Sequence, residues 1–128
     1  MPDSPLSPVI LSHLLHAPAL EAAAVWEPFR VGIEISRLYG DGRHGSAAAL
    51  LRYQPGASVP WHRHAGYEHV LVLDGSQTDQ HGTHPAGTLV INPPGSRHSV
   101  VSDRGCLVLI VWELPVIFEA AGGNEPQR

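Results

Sequence analysis

The sequence predicts an all-β domain: a small barrel of short strands with no long helix. Three observations lead there. The apolar runs are of strand length and are bounded by Gly, Pro, Asp or Asn. Glycine (13) and proline (12) are frequent enough to supply many tight turns. Two stretches, 56–75 and 87–102, place their polar and apolar side chains at every second position, as strands do.

The bulk of the chain agrees. Its 128 residues suit one domain around one core. Hydrophobic residues at 43% against charged residues at 16% exclude a disordered chain. The net charge is −4 and no cluster of Lys or Arg exists, so a nucleic-acid partner is not expected. No cationic, apolar leader opens the sequence and no run of 18 apolar residues interrupts it, so neither export nor a membrane span is expected. Cys106 is the sole cysteine and has no internal partner for a disulfide, which fits a reducing, cytoplasmic setting. Its apolar surroundings in sequence point to a small buried hydrophobe ahead of a fifth metal ligand or a reactive thiol.

Taken in order, residues 1–30 form an N-terminal arm. Pro2, Pro5, Pro8 and Pro18 make its start irregular, and residues 18–25 suit a short helical turn or a segment that pairs with a second subunit. His13 and His16 are expected to be solvated. The barrel spans 31–118. Residues 33–39 and 47–53 read as strands joined by a turn at 41–45, and Pro55–Gly56 stops the second. His62 and His64 project together from the next strand. After a turn at Ala65 and Gly66, residues 67–73 form a strand with Glu68, Val70 and Val72 on one face and His69 on the other. Both faces are largely apolar, so one lines the barrel and the other packs on a sheet or subunit; a homodimer is expected. Asp74–Gly75 reads as a turn, and 76–81 with 83–86 as a polar hairpin whose His81 and His84 are solvated. Residues 87–92 lead to a Pro93–Pro94–Gly95 corner, and His98 opens the apolar run 98–101. Residues 103–105 turn the chain into the strand 106–113, and 115–118 add an edge strand. Residues 119–128 read as a flexible tail.

The chemistry concentrates in the two alternating stretches. The first reads Gly56, five residues, His62, one residue, His64, three residues, Glu68, six residues, Gly75; the second reads Gly87, five residues, Pro93, one residue, Gly95, two residues, His98. Three imidazoles and a carboxylate from three strands can converge on one ion. Imidazole suits zinc, copper, iron and nickel, and a carboxylate oxygen is compatible with each.

These residues resemble both motifs of the cupin superfamily. The run VPWHRHAGYEHVLVLDGSQTDQHGTHPAGTLVINPPGSRHSV, followed by RGCLVLIVW, resembles the cupin domain of ChrR-type anti-sigma factors. It is also similar to single-domain bacterial cupins, some of which are dioxygenases that split carbon–carbon bonds. The resemblance implies a double-stranded β-helix, a jelly-roll barrel. It also implies one divalent transition metal per subunit, zinc or iron ahead of nickel or manganese, held by His62, His64, Glu68 and His98. The second motif ends on Ser102 where Asn is usual, which puts in doubt any role copied from that Asn.

The function implied is a metal-dependent, dioxygenase-like enzyme acting on a small oxygen-rich organic molecule; the alternative is a non-catalytic zinc-bound sensor or ligand-binding module. Val70 and Val72, on the face of Glu68, and Val100 and Ser102, on the face of His98, are expected to line its pocket, with the Ser102 hydroxyl orienting the ligand. Strand alternation leaves the direction of Trp112 open and sends His69 to the outer face. A sigma-factor partner is not expected. The sigma-gripping domain of ChrR-type proteins needs a His and paired cysteines, and this chain has one cysteine and about 25 residues ahead of the barrel.

Overall fold

The computed structural model describes residues 7–119. One helix, α1 (Ala17–Ala23), precedes ten strands: β1 (Glu27–Arg30), β2 (Ile33–Tyr39), β3 (Ala47–Tyr53), β4 (Ala57–His64), β5 (Glu68–Asp79), β6 (Gly82–Pro85), β7 (Leu89–Asn92), β8 (Arg97–Ser102), β9 (Cys106–Trp112) and β10 (Val116–Phe118). All ladders are antiparallel, in the order β1-β2-β3-β9-β5-β8-β4-β10, with β6 and β7 also on β5. The architecture is the all-β jelly roll that the sequence predicts. The expected tail, 119–128, lies outside the described residues apart from Glu119.

Alternation sorts the strands' side chains. In β3, Ala49, Leu51 and Tyr53 enter the barrel, where they meet Ile33, Ile35, Val70, Val72, Val108 and Ile110. Leu50 of β3 and Leu107 of β9 point the other way. That outer face is covered by the chain's own arm: α1 lays Leu20, 3% exposed, on Leu50 and Leu107, flanked by Leu11, Leu14 and Trp26. The short helical turn expected at 18–25 is therefore present as α1. His16 is not simply solvated, because its Nδ1 caps the helix by accepting from the Ala19 amide at 3.2 Å. Leu20→Ala removes the anchor of this arm and is expected to cost about 2–3 kcal/mol of stability in denaturant titration, leaving metal content unchanged.

One expectation is corrected. Asp74–Gly75 is no turn. β5 runs unbroken through it to Asp79, with a bulge: Val72 pairs with Val108 and Asp74 with the very next residue, Leu107. The extra residue swaps the faces of the strand. Before the bulge the buried residues are Glu68, Val70 and Val72; after it Gln77 is buried. Gly75 makes the bend possible. Its φ is +72°, and a Cβ there would strike the Gly105 carbonyl. As a result β5 serves both halves of the barrel, pairing with β7 and β9 first and with β6 and β8 afterwards.

Candidate metal centre

β4 and β8 put the histidines in place. His62 and His98 are directly opposed in that ladder, and alternation places His64 on the same face as His62. The ring centroids lie 5.1 Å (His62–His64), 4.7 Å (His62–His98) and 4.8 Å (His64–His98) apart. One nitrogen from each ring can be chosen so that all three lie within 4.8 Å of one another.

The hydrogen bonds decide which nitrogen that is. His62 Nδ1 stands 2.8 Å from the Pro60 carbonyl, which can only accept, so Nδ1 carries the proton. His64 Nδ1 lies 3.1 Å from the Ser96 carbonyl and 2.9 Å from Ser96 Oγ, which spends its own proton on the Pro93 carbonyl at 2.6 Å. His64 Nδ1 therefore donates as well. His98 Nδ1 donates to Asp79 Oδ2 at 3.0 Å. In each neutral ring the free lone pair is then on Nε2.

Electrostatics favour those neutral forms. Burial pulls the His62 imidazole down to about 4, against the bond to Pro60. Burial lowers His98 too, in spite of Asp79. Glu68 is 4% exposed; burial opposes its ionisation, while positive charge at the trio, at His64 first and then at His62 and His98, holds the carboxyl below its usual range, so this carboxylate is suited to a cation placed there. Asp79 behaves alike: burial opposes its charge, while the His81 amide and the rings of His84 and His98 hold it low.

Glu68 stands beside the trio. Its Oε1 accepts from Asn92 Nδ2 at 3.0 Å and its Oε2 from the Trp112 indole at 2.9 Å; both partners face Glu68 in neighbouring ladders. Oε1 also lies 3.2 Å from His64 Nε2, a buried nitrogen without a hydrogen bond. A neutral imidazole protonated at Nδ1 would aim a bare lone pair at an anionic oxygen. That contact is repulsive unless a cation lies between them. The donor set thus fits a metal ion: three Nε2 atoms and a carboxylate oxygen with a lone pair to spare.

The trio faces a cavity of ≈ 490 Å³, whose wall includes His62, Glu68 and His98. Leu51, Val59, Val70, Val100 and Ile110 make much of it apolar. Two expected lining residues stand elsewhere. Val72 is fully buried among core side chains, and Ser102 spends its hydroxyl on the Ser76 carbonyl at 2.6 Å. Trp112, whose direction alternation left open, faces the cavity. His69 lies on the outer face in a shallow hollow with Tyr67, Ile91 and Val111. Cys106 is buried, its thiol pushed up to about 11 by burial, as suits a core residue. His81 is exposed, whereas His84 packs its Nε2 3.0 Å from Asp79 Oδ1. Asp79, Asn92, Ser96 and Trp112, which hold the metal-type side chains, are the residues that the motifs alone did not single out.

The sequence profile of the ChrR cupin-like domain matches residues 19–115. The chain belongs to this family. The anti-sigma-E factor ChrR of Cereibacter sphaeroides is 35% identical over 79 residues, which is 59% of this chain and 37% of that protein. The solved complex of Rhodobacter sphaeroides SigE with ChrR superposes with a TM-score of 0.62 at 29% identity, covering 71% of this chain and 49% of the solved one. The cupin domain thus spans less than half the length of ChrR. Acetylacetone dioxygenase from Acinetobacter johnsonii is similar in fold, with a TM-score of 0.70 at 20% identity over 77% of this chain and 74% of that one. A putative acetylacetone dioxygenase from Methylibium petroleiphilum reaches 0.75 at 18% identity over 98% and 90%. No helix among the described residues is long and apolar enough to cross a membrane.

Proposed function

We propose that this cupin is a metal-dependent enzyme of the dioxygenase type, acting on a small oxygen-rich organic molecule held in the barrel. The observation that carries the reading is the directed trio: three buried imidazoles, each with Nδ1 tied back, leave three Nε2 lone pairs beside a mostly apolar cavity. His62, His64 and His98 would hold one divalent transition metal, with Glu68 Oε1 as the fourth donor. Zinc or iron comes first by donor type, and nickel or manganese after them. The ion would supply Lewis acidity toward a carbonyl or enolate and, as iron, redox chemistry with dioxygen. The chain's part is to bind, orient and keep the site dry. Val70, Val100 and Ile110 exclude water, and the Trp112 and Asn92 donors fix the Glu68 carboxylate. Val72 and Ser102 act on the pocket only from behind its wall.

A second reading, a non-catalytic zinc-bound ligand sensor, is favoured by the likeness to ChrR, an anti-sigma factor. Sigma-factor contact itself is not proposed. Metal analysis of protein purified from its own host, with dioxygen uptake on a 1,3-diketone panel, separates the two. The enzyme reading expects iron, and dioxygen consumed in step with the diketone. Zinc with no uptake would replace it by the sensor.

A homodimer is proposed through the outer face beyond the arm, where Tyr67, Leu89 and Ile91 remain exposed. Light scattering that returned a single-chain mass of 13.8 kDa at micromolar concentration would exclude it. A reducing cytoplasm is the compartment proposed, since the sole cysteine is a buried free thiol.

A further inference from the structure

Part of the cavity wall carries cations. Arg30, Arg37 and Arg43 all line the cavity, against one carboxylate there besides Glu68, that of Asp41. Two of these four charges have company. Arg37 Nε donates to Glu27 Oε1 at 3.2 Å, and Asp41 Oδ1 accepts from the amides of Arg43 and His44. No carboxylate among the described residues lies within ion-pair distance of Arg30 or Arg43. Of these two, Arg43 is exposed, whereas Arg30 is half-buried. Its guanidinium carbon is held 4.3 Å above the ring centroid of Phe118, and that ring lies 5.5 Å from the His62 imidazole. Phe118 therefore bridges the arginine and the trio, and both aromatic and guanidinium line the same cavity. Tyr53 adds a hydroxyl on that wall, with no hydrogen-bond partner among the described residues.

We infer that the ligand is an organic anion: a carboxylate at one end seated on Arg30, an apolar middle against Val70, Val100 and Ile110, and oxygen donors at the other end toward the His trio. A guanidinium over a ring face can keep its edge for a ligand, and no hydrogen bond from Arg30 to a described side chain occupies that edge. That edge carries the forked donors that match a carboxylate. The nearby apolar wall strengthens the pair by excluding water. The two distances through Phe118, laid end to end, bound the span from guanidinium to imidazole to one that a single small acid covers. This inference rests on the proposed function for the oxygen end of the ligand, and not for the Arg30 end.

The test uses a matched pair on the zinc-loaded full chain, measured by calorimetry. The compounds are 4,6-dioxoheptanoate and heptane-2,4-dione, which share a diketone and differ only by carboxylate against methyl. The carboxylate is expected to bind at least about tenfold more tightly. Arg30→Gln is expected to erase that preference while leaving zinc content and the affinity for heptane-2,4-dione unchanged. Equal affinities in the native chain, or a preference that survives in Arg30→Gln, would overturn the inference. Should neither compound bind the zinc-loaded chain, the metal reading falls, and the Arg30 end is judged alone. Butanoate titrated into the metal-free chain must then shift the Arg30 Nε–H resonance in the NMR spectrum. Absence of that shift overturns the inference whatever the metal does.

Discussion

His98→Ala is expected to drop metal content at micromolar metal from about one equivalent to below about a tenth. His62→Ala and His64→Ala should do the same. Each deletion removes one of three Nε2 donors, and the two that remain are too few for tight binding in competition with water. His81→Ala, on an exposed tip, leaves occupancy intact. Elemental analysis after dialysis reads these outcomes, and full occupancy in His98→Ala would place the metal elsewhere. The same imidazoles tie stability to pH. In the metal-free chain His62 titrates at about 4, below the unfolded value of about 6.5. The unfolded chain therefore binds more protons between those limits. Stability from the buried neutral ring is complete above about pH 6.5 and is lost as pH falls toward 4, by up to about 3 kcal/mol. Metal binding shifts with the same sign, since protons compete for the Nε2 lone pairs. Thermal melts at pH 7 and pH 4.5, with and without metal, would show both effects; a metal-free melting point that rose on acidification would contradict them.

Asp79→Ala is expected to weaken metal binding about 10- to 100-fold although Asp79 holds no metal itself. Its carboxylate has two sides. Oδ2 takes the His98 Nδ1 proton, and Oδ1 takes the His81 amide and stands 3.0 Å from His84 Nε2. Removing it frees the His98 ring to turn and to move its proton to Nε2, which would block the donor. Asp79→Asn retains an oxygen that can accept from Nδ1, so it should restore most of the affinity. His84→Ala leaves Oδ2 in place, so occupancy at saturating metal should not change. Competition titration with a chelator measures all three. Equal losses in Asp79→Ala and Asp79→Asn would show that charge, rather than the orientation of the ring, is what matters.

Much of this site is legible in the sequence. Alternation alone put His62 with His64 and set Glu68, Val70 and Val72 on one face, and the motif resemblance brought His98 to them. What the sequence hid has one principal cause. Asp74–Gly75 is hairpin chemistry, and read as a turn it ends the strand. The chain uses that glycine for a bulge instead, and the bulge exchanges inward and outward positions for the rest of β5. Gln77 and Asp79 do lie on the expected hairpin, but the bulge turns them inward, which a wholly polar, solvated hairpin did not foresee. The pull of Ser102 toward the Ser76 carbonyl, just past the bulge, was hidden for the same reason. Trp112 is a different case. Only the register that sets it opposite Glu68 shows that its indole reaches the carboxylate.

The cavity is assembled from two classes of segment. The imidazoles sit on β4 and β8, paired in mid-sheet and buried. The side chains around Arg30 come from β1, from β2 and its connection to β3, and from β10, and of these β1 and β10 lie at the two margins of the sheet order. Substitutions and length changes in those marginal pieces disturb few ladder hydrogen bonds, whereas changes in β4 or β8 disturb the ladder that aligns the rings. Descent with modification can therefore alter which molecule is admitted while the ion-holding machinery is inherited intact. A lineage built on this barrel can diversify its diet from the rim inward, one edge segment at a time.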